Sequence, residues 1–361
     1  MAMEMIMENE RNERAYGGKG MVGAGGAMLS AFLYGLNAFF AFYAYQGGSN
    51  PVAFTCFSSF FSMAVLFLLM LVLPRACLSN HSRRRHTPLC GMFSPHPVSA
   101  ARYASCIRVK FPANCDAHLT ESNSQILPEK GQVLWLLADG VLGGLTTLFL
   151  FSAFEQMATG IATVLHFTYP VYVAVAGIWL LKKKLTVGKG AAMVLSLAGI
   201  AFTSDFSGAG TGTGLGVFLA LASGLTYAGY ILVMEKSGLQ KSDYLWFSFY
   251  MTGIRGMVAL LYGEAVGAMT FSMTGTAWMM TAAHALLTGV AANILFQFGV
   301  RHVGGTTASL LSMFEPVTCL AVGVMLLGEM MNPAKLFGCG MIMAGILVVV
   351  WDEHGKKTIK Q

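Results

Sequence analysis

Residues 308–346 read ASLLSMFEPVTCLAVGVMLLGEMMNPAKLFGCGMIMAGI, two apolar stretches with a Glu-Pro pair, Glu315-Pro316, inside the first. Residues 162–200 read ATVLHFTYPVYVAVAGIWLLKKKLTVGKGAAMVLSLAGI, and the two segments align without a gap at an offset of 146 (308 against 162). Pro170 falls on Pro316, Gly177 on Gly323, Lys189 on Lys335, and Ala198-Gly199-Ile200 on Ala344-Gly345-Ile346. An internal duplication sets the architecture, because each copy is one structural unit. Working outward, Gly35-Leu36-Asn37 aligns with Gly224-Leu225-Thr226 at an offset of 189 (224 against 35). The fall in offset from 189 to 146 means that the first copy holds about 43 residues that the second lacks. Only the polar stretch 74–130 is long enough to hold them, so it reads as an insertion.

The 361 residues are 55% hydrophobic and 11% charged, with mean hydropathy +0.61. A soluble domain carries about 25% charged residues. The apolar residues here fall in ten runs of about 20, the length that crosses a hydrocarbon core. The chain therefore reads as an all-α polytopic membrane protein of ten transmembrane helices. The runs are 24–45, 52–73, 132–154, 161–181, 187–204, 215–234, 244–262, 277–299, 306–327 and 334–351. This divides the chain into a tail (1–23), a first five-helix repeat (24–204) with the insertion 74–130, a glycine-rich link (205–214), a second repeat (215–351) and a tail (352–361). Five is odd, so the second repeat must enter the membrane in the opposite sense. Two inverted repeats place a substrate site near the bilayer midplane between them.

Charge placement agrees. With the N-terminus inside, all of the 23 Lys and Arg except Lys335 and Arg255 fall on inside segments, as the positive-inside bias requires. Lys335 is outside and Arg255 lies within the seventh run. Both tails and loop 74–130 are thus expected on the cytoplasmic side of a plasma membrane, a bacterial one. The net charge of +6 marks topology and gives no reason to expect nucleic acid. The N-terminal segment lacks the apolar core of a cleaved signal.

Several stretches carry a family likeness: SAFLYGLNAFFAFYAY in the first run, SGLTYAGYILVMEK in the sixth, FSAFEQMATGIATVLHFTYPVYVAVAGIWLLKKKLT across the third and fourth, and FGVRHVGGTTASLLSMFEPVTCLAVGVMLLGE across the eighth and ninth. The chain resembles the drug/metabolite transporter superfamily, in its EamA-type ten-helix branch. The likeness spans residues 24–351 apart from the insertion. Lys183 stands where a repeat commonly has Glu, and Tyr169 precedes the proline of the first copy. The resemblance implies a secondary transporter, an exporter, of small metabolites such as amino acids, related compounds or drugs. It implies no enzyme activity and no cofactor. The partners it implies are a small-molecule substrate, the lipid bilayer and, in a homodimer, a second copy.

A transporter needs polar groups at membrane depth, which are costly against lipid. Ser309, Ser312 and Glu315 recur at i, i+3, i+6, and the repeat puts Thr163, His166 and Tyr169 in register with them. Asn293 and Gln297 share a face at i, i+4. Tyr34 and Asn37 in the first run share one with Ser30, and Thr226 and Tyr230 in the sixth share one with Ser223. The candidate cavity residues are therefore Tyr34, Asn37, His166, Tyr169, Thr226, Tyr230, Asn293, Gln297, Ser312 and Glu315, on walls from runs 1, 3, 4, 6, 8 and 9. Glu315 is the candidate proton carrier. The hydroxyls and amides can equally join helices, and His166 can be an ordinary core histidine. Glu155, Glu264 and Glu329 sit at span ends, where solvated structural roles suit them. Glycines at 140–144 would let helices approach closely.

The insertion holds Cys77, Cys90, Cys106, Cys115, His81, His86, His96 and His118, but their spacing fits no compact tetrahedral motif. No metal is expected. Its Ser, Pro and charge content suggests disorder, and Arg83-Arg84-Arg85 suits anionic headgroups. No nucleotide-binding GxxxxGK[ST] loop occurs. A phosphorylated-sugar or nucleotide-sugar exchanger shares the ten-helix plan but needs clustered cavity cations. A membrane scaffold working through loop 74–130 and an intramembrane lipid-modifying enzyme are the readings from other classes.

Overall fold

A computed structural model describes residues 20–72, 130–157, 159–182, 185–203, 214–326 and 332–358. Nearly all of them are helical, with no strand among the described residues. Residues 74–129 of the insertion with its cysteines and histidines, most of the link 205–214, residues 1–19, Lys183 and Glu329 lie outside them, as do the expectations placed there.

The apolar runs emerge as helices α1 (Gly20–Gln46), α2 (Pro51–Val72), α3 (Lys130–Gln156), α4 (Ile161–Leu181), α5 (Val187–Thr203), α6 (Gly214–Ser237), α7 (Tyr244–Val266), α8 (Gly275–Val303), α9 (Gly305–Leu326) and α10 (Pro333–Thr358). Eight of them are long and apolar enough to cross a membrane; α5 is a shorter apolar helix. Helix α7 has 23 residues and carries Arg255 and Glu264. Several boundaries move from expectation, with α7 and α8 each ending four residues later, at Val266 and Val303. Helix α1 begins inside the expected N-terminal tail, and α10 continues to Thr358. Asp352 helps carry α10 past Trp351, because its carboxylate accepts a hydrogen bond from Thr186 on the turn before α5 (2.8 Å).

The surface is apolar and the hydroxyls are inside. Trp179, Trp351 and Met325 are each at least 80% exposed, whereas Ser30, Ser62, Ser223, Thr252 and Thr281 are buried. Lipid as the surrounding solvent accounts for that inversion, since it removes the penalty for exposed apolar groups and places one on exposed polar groups. We read the chain as an integral multi-pass membrane protein.

The most extensive contacts run between α5 and α10, α3 and α6, and α2 and α7. The second half of α1 packs on the first half of α8; α8 also meets α2, α7 meets α3, and α4 meets α6 and α9. Small residues set the closest approaches. A Cβ on Gly199 would lie 2.6 Å from the carbonyl oxygen of Gly338, and one on Gly345 would lie 2.9 Å from that of Ala192. The offset of 146 turns Gly199 into Gly345 and Ala192 into Gly338, so this is one contact made twice. Gly140 and Gly144 face the side chains of Ile254 and Val258, bringing α3 against α7.

Four helices are interrupted, and the first of them, α1, turns at Leu36 before resuming at Asn37. Helix α4 breaks after His166 and resumes at Tyr169. Helix α9 tightens into a 3₁₀ turn at Ser312–Phe314 before Glu315. The cause is shared: Pro170 and Pro316 have no N–H to give to the carbonyls of His166 and Ser312 four residues back. Helix α8 instead widens into a π-helical stretch, Ala285–Ala292. The carbonyls at the two ends of that stretch, Ala285 and Ala292, accept hydrogen bonds from Ser62 of α2 (3.0 Å) and Ser30 of α1 (2.8 Å). Wide turns of this kind recur at functional sites.

Candidate functional site

The helices surround a central cavity of about 130 Å³. Helix α2 supplies one wall with Thr55, Ser58, Ser59 and Ser62, spaced i, i+3, i+4, i+7 and so on one face. Helix α3 adds Gly143, Thr146 and Thr147, α7 adds Thr252 and Arg255, and α8 adds His284, Thr288 and Gly289. Tyr34 and Asn37 of α1, His166 of α4, Tyr227 and Tyr230 of α6 and Glu315 of α9 complete it. Gly289 makes room for Ser62, since a Cβ there would collide with Ser62 Oγ and force that side chain to move. A second hollow, about 230 Å³, lies where the end of α4 and the starts of α5 and α9 meet, and Lys189 there donates to Thr307 Oγ1 (2.6 Å). It sits at one end of the bundle, so the smaller central cavity is the candidate for a midplane site.

The hydroxyls of the wall share a geometry. Thr55 donates to the carbonyl of Pro51 (2.8 Å), Ser58 to that of Thr55 (3.3 Å) and Ser62 to that of Ser58 (2.8 Å). Thr146 donates to Leu142 (2.8 Å), Thr147 to Gly143 (3.2 Å), Thr252 to Ser248 (2.9 Å) and Thr288 to His284 (2.7 Å). Thr55, Ser58, Thr147, Thr252 and Thr288 thus give their one hydrogen to their own helix, whereas Ser62 also reaches Ala285 O of α8 (3.0 Å) and Thr146 also reaches Thr226 Oγ1 of α6 (2.9 Å). The oxygens that reach the cavity are left as acceptors. His166 behaves alike. Ser223 gives its hydrogen to Ala220 O (2.6 Å), so the 2.9 Å contact between Ser223 Oγ and His166 Nδ1 takes its hydrogen from the ring. Asn37 Oδ1 and His284 Nδ1 are buried without a hydrogen-bond partner.

Aromatic rings form another side. Tyr227 and Tyr230 stack with centroids 5.7 Å apart and planes 15° off parallel, and Phe296 extends the stack, 6.3 Å from Tyr230. Tyr169 meets Tyr227 edge-on at 4.6 Å.

Arg255 of α7 and Asp139 of α3 are ionisable groups brought beside the cavity. The guanidinium lies over Gly143, where a Cβ would stand 3.4 Å from Nη2. Asp139, one turn earlier on α3, is fully buried, and neither carboxylate oxygen has a hydrogen-bond partner. Arg255 is within electrostatic reach of it, and Arg255 Nε is also unpartnered. A buried carboxylate needs an opposite charge or a proton.

Of the residues expected from the sequence, Tyr34, Asn37, His166, Tyr230 and Glu315 line the cavity. Asn293 stands just behind, accepting the Tyr34 hydroxyl (2.7 Å) and donating to Gly289 O (3.0 Å). Thr226 is behind Thr146, hydroxyl to hydroxyl at 2.9 Å. Tyr169 and Ser312 are not among the lining residues: Tyr169 is buried with its hydroxyl 3.4 Å from Ser309 O, and Ser312 donates to Ala308 O (3.0 Å). Gln297 reaches Leu239 O (3.4 Å) at the α6–α7 turn, away from the cavity. The walls from α2 and α7 were not expected. The α2 hydroxyl stripe was readable at helical spacing, and Asp139 was readable as a charge inside an apolar run. Tyr227 and His284 carried no such signal.

The comparisons with known proteins agree with this architecture. Residues 112–205 and 214–351 match the EamA-like transporter family, and residues 78–127 match a family of unknown function, DUF6783. An uncharacterized transporter of Archaeoglobus fulgidus is 26% identical over 219 residues, 60% of this chain and 76% of that protein. The uncharacterized transporter YwfM of Bacillus subtilis is 29% identical over 212 residues, 58% of this chain and 70% of that protein. Human solute carrier family 35 member G1 is 27% identical over 133 residues, 34% of this chain and 36% of its own. A solved structure described only as a crystal structure of protein aligns with a TM-score of 0.65 over 91% of this chain and 98% of its own, at 14% identity, which is a likeness of fold.

Proposed function

This chain belongs to the EamA-like transporter family, and from that premise we propose that it is a secondary transporter that exports small metabolites such as amino acids, related compounds or drugs. The observation that carries the reading is the central cavity: a polar, charged space enclosed by helices whose outer faces are apolar. A static membrane scaffold has no use for it. A lipid-modifying enzyme is expected to cluster its polar groups at one interface, whereas these lie near the middles of α1, α7 and α9.

In this proposal ten helices form two inverted five-helix repeats that rock about the cavity, with both tails and loop 74–130 cytoplasmic. The contact pattern supports it. Replace each helix by the one five places on, and α3–α6 becomes α8–α1, α2–α8 becomes α7–α3, and α4–α6 becomes α9–α1, all of which pack together. The doubled Gly199 and Gly345 contact obeys the same exchange. The DUF6783 match supports a separate origin for the insertion. The phosphorylated-sugar reading stays second, because Arg255 alone among the lining residues is a Lys or Arg.

Flux into liposomes containing the purified chain is the test. Saturable uptake of at least one compound from a panel of amino acids, nucleosides, amines and organic anions is expected. Uptake of none would overturn the proposal.

A further inference from the structure

The second hollow, where the end of α4 meets the starts of α5 and α9, has no part in the transport reading. Its lining divides by chemistry: Lys189, Thr306 and Thr307 are polar, and Ala174, Ile178, Leu185 and Val303 are apolar. Lys189 is only 9% exposed. A lysine near the start of a membrane helix can run its stem along the surface and leave its ammonium in water. This one turns inward and donates to Thr307 Oγ1 (2.6 Å). The hydroxyls are particular to this copy of the repeat. Lys335 aligns with Lys189, but Gly160 and Ile161 stand where Thr306 and Thr307 do. The duplication alone does not account for them.

The neighbourhood is basic. The connection from α4 to α5 opens with Lys182-Lys183-Lys184. Lys182 is exposed and has a φ of 51°, the only non-glycine with a left-handed backbone among the described residues. Glycine takes that conformation without strain, so a lysine there is held against its backbone preference. Two carboxylates stand nearby without lining the hollow. Asp352 accepts from Thr186 Oγ1 (2.8 Å), and Glu235 lies across Gly305, its Oε2 2.8 Å from the place of a Cβ.

The apolar side faces the bilayer. Ile178 and Leu185 are exposed where they border the hollow, and so are Trp179, Leu180 and Val187 beside them. An exposed tryptophan at a helix end suits the headgroup level of a membrane. A phosphate ester in the hollow would meet an ammonium and two hydroxyls, while chains attached to it would run along an apolar surface. A free inorganic anion would use the first set of contacts and not the second.

We propose that this hollow holds the phosphate of an anionic phospholipid, at a site separate from the transport cavity. Lys189, Thr306 and Thr307 take the phosphate oxygens, the acyl chains lie against Ile178 and Leu185, and Lys182 favours a lipid of net negative charge. Basic pockets between membrane helices bind such headgroups. On the topology proposed above, this end meets the cytoplasmic leaflet, where anionic lipid gives a negative surface potential.

Thermal unfolding of the full chain in a neutral detergent tests the site, with dioleoylphosphatidylglycerol, dioleoylphosphatidylcholine and inorganic phosphate added in turn. The first has a net negative charge, the second has the same chains and a phosphate but no net charge, and the third has no chains. A ligand that binds only the folded chain raises its unfolding temperature according to its affinity. Phosphatidylglycerol is expected to act at a concentration about tenfold or more below that of phosphatidylcholine, and inorganic phosphate at the same concentrations should not act. Lys189→Gln should weaken phosphatidylglycerol by a similar factor, and Lys189→Arg should keep the preference. The proposal is overturned if phosphatidylcholine or inorganic phosphate matches phosphatidylglycerol, or if the preference ignores Lys189→Gln. Should that variant not fold, photo-crosslinking on the unaltered chain decides. Phosphatidylglycerol with a diazirine near its glycerol is expected to label residues 174–189 or 303–307, and unlabelled phosphatidylglycerol, but not phosphatidylcholine, should suppress that labelling. Labelling elsewhere alone, or equal suppression by both lipids, overturns the proposal.

Discussion

Tyr34 on α1 donates its phenolic hydrogen to Asn293 Oδ1 on α8 across 2.7 Å, and Asn293 Nδ2 is held in turn by Gly289 O. The bond ties together two helices that flank the cavity, and it fixes which way the asparagine amide points. Tyr34→Phe leaves that carbonyl oxygen without its donor. We expect a loss of about 1–2 kcal/mol in stability, read as a lower unfolding temperature in detergent. Flux should fall further than that loss explains, because the Tyr34 side chain is itself part of the wall. Unchanged flux would remove Tyr34 from the site.

Gly199→Ala and Gly345→Ala both place a methyl group on a backbone carbonyl of the facing helix. Each should destabilise by about 1–3 kcal/mol, the range for overpacking a close contact. The two are expected to behave alike, since they are the same contact at two places in the chain. Thermal unfolding of both variants checks this, and a large difference between them would argue against the symmetry.

Arg255→Ala strands the carboxylate of Asp139 in the interior. Removing one partner of a buried pair costs about 3–5 kcal/mol. Adding Asp139→Asn should recover part of the loss, because the uncompensated charge goes with it. A double-mutant cycle on unfolding temperature measures the coupling; strict additivity would mean that the two residues do not interact.

Glu315→Gln keeps the shape of the side chain and removes its titration. If Glu315 carries the transported proton, flux through this variant should lose its dependence on pH and on an imposed proton gradient. Liposome flux across a pH series decides it. A variant that keeps both rate and pH profile assigns the proton to another group.

Deletion of residues 78–127 should leave flux undiminished, since the second repeat has no counterpart to this stretch. Loss of flux in a well-folded deletion variant would give the insertion a part in transport.

The sequence made the helices legible because a 20-residue apolar run has few alternatives in lipid. The duplication was legible because Gly, Pro and Ala-Gly-Ile keep their spacing in both copies. The cavity was less so. Ser309, Ser312 and Glu315 look like one stripe on an ideal helix, but Pro316 tightens the turn at Ser312, and only Glu315 reaches the cavity. Asn293 and Gln297 do share a face, yet one turn of helix separates a residue behind the cavity from one at the α6–α7 loop. His284 is a lone histidine in an apolar segment. Its position depends on how α8 meets α2, and local spacing holds no record of that. The α2 stripe is the opposite case: Thr55, Ser58, Ser59 and Ser62 have clear helical spacing and could have been named in advance.

The inward turn of the hydroxyl hydrogens also bears on solvent. Water against Thr55, Ser58, Thr147, Thr252 and Thr288 must point its own hydrogens at their oxygens, and few orientations serve several of them at once. Ordered water can lose up to about 2 kcal/mol of entropy per molecule. A cargo that displaces such water returns that freedom to the bulk, so calorimetry should find binding with a favourable entropy despite its polar contacts. The same alignment gives this side of the cavity an electrical polarity of its own, maintained by the backbone through its hold on five small side chains.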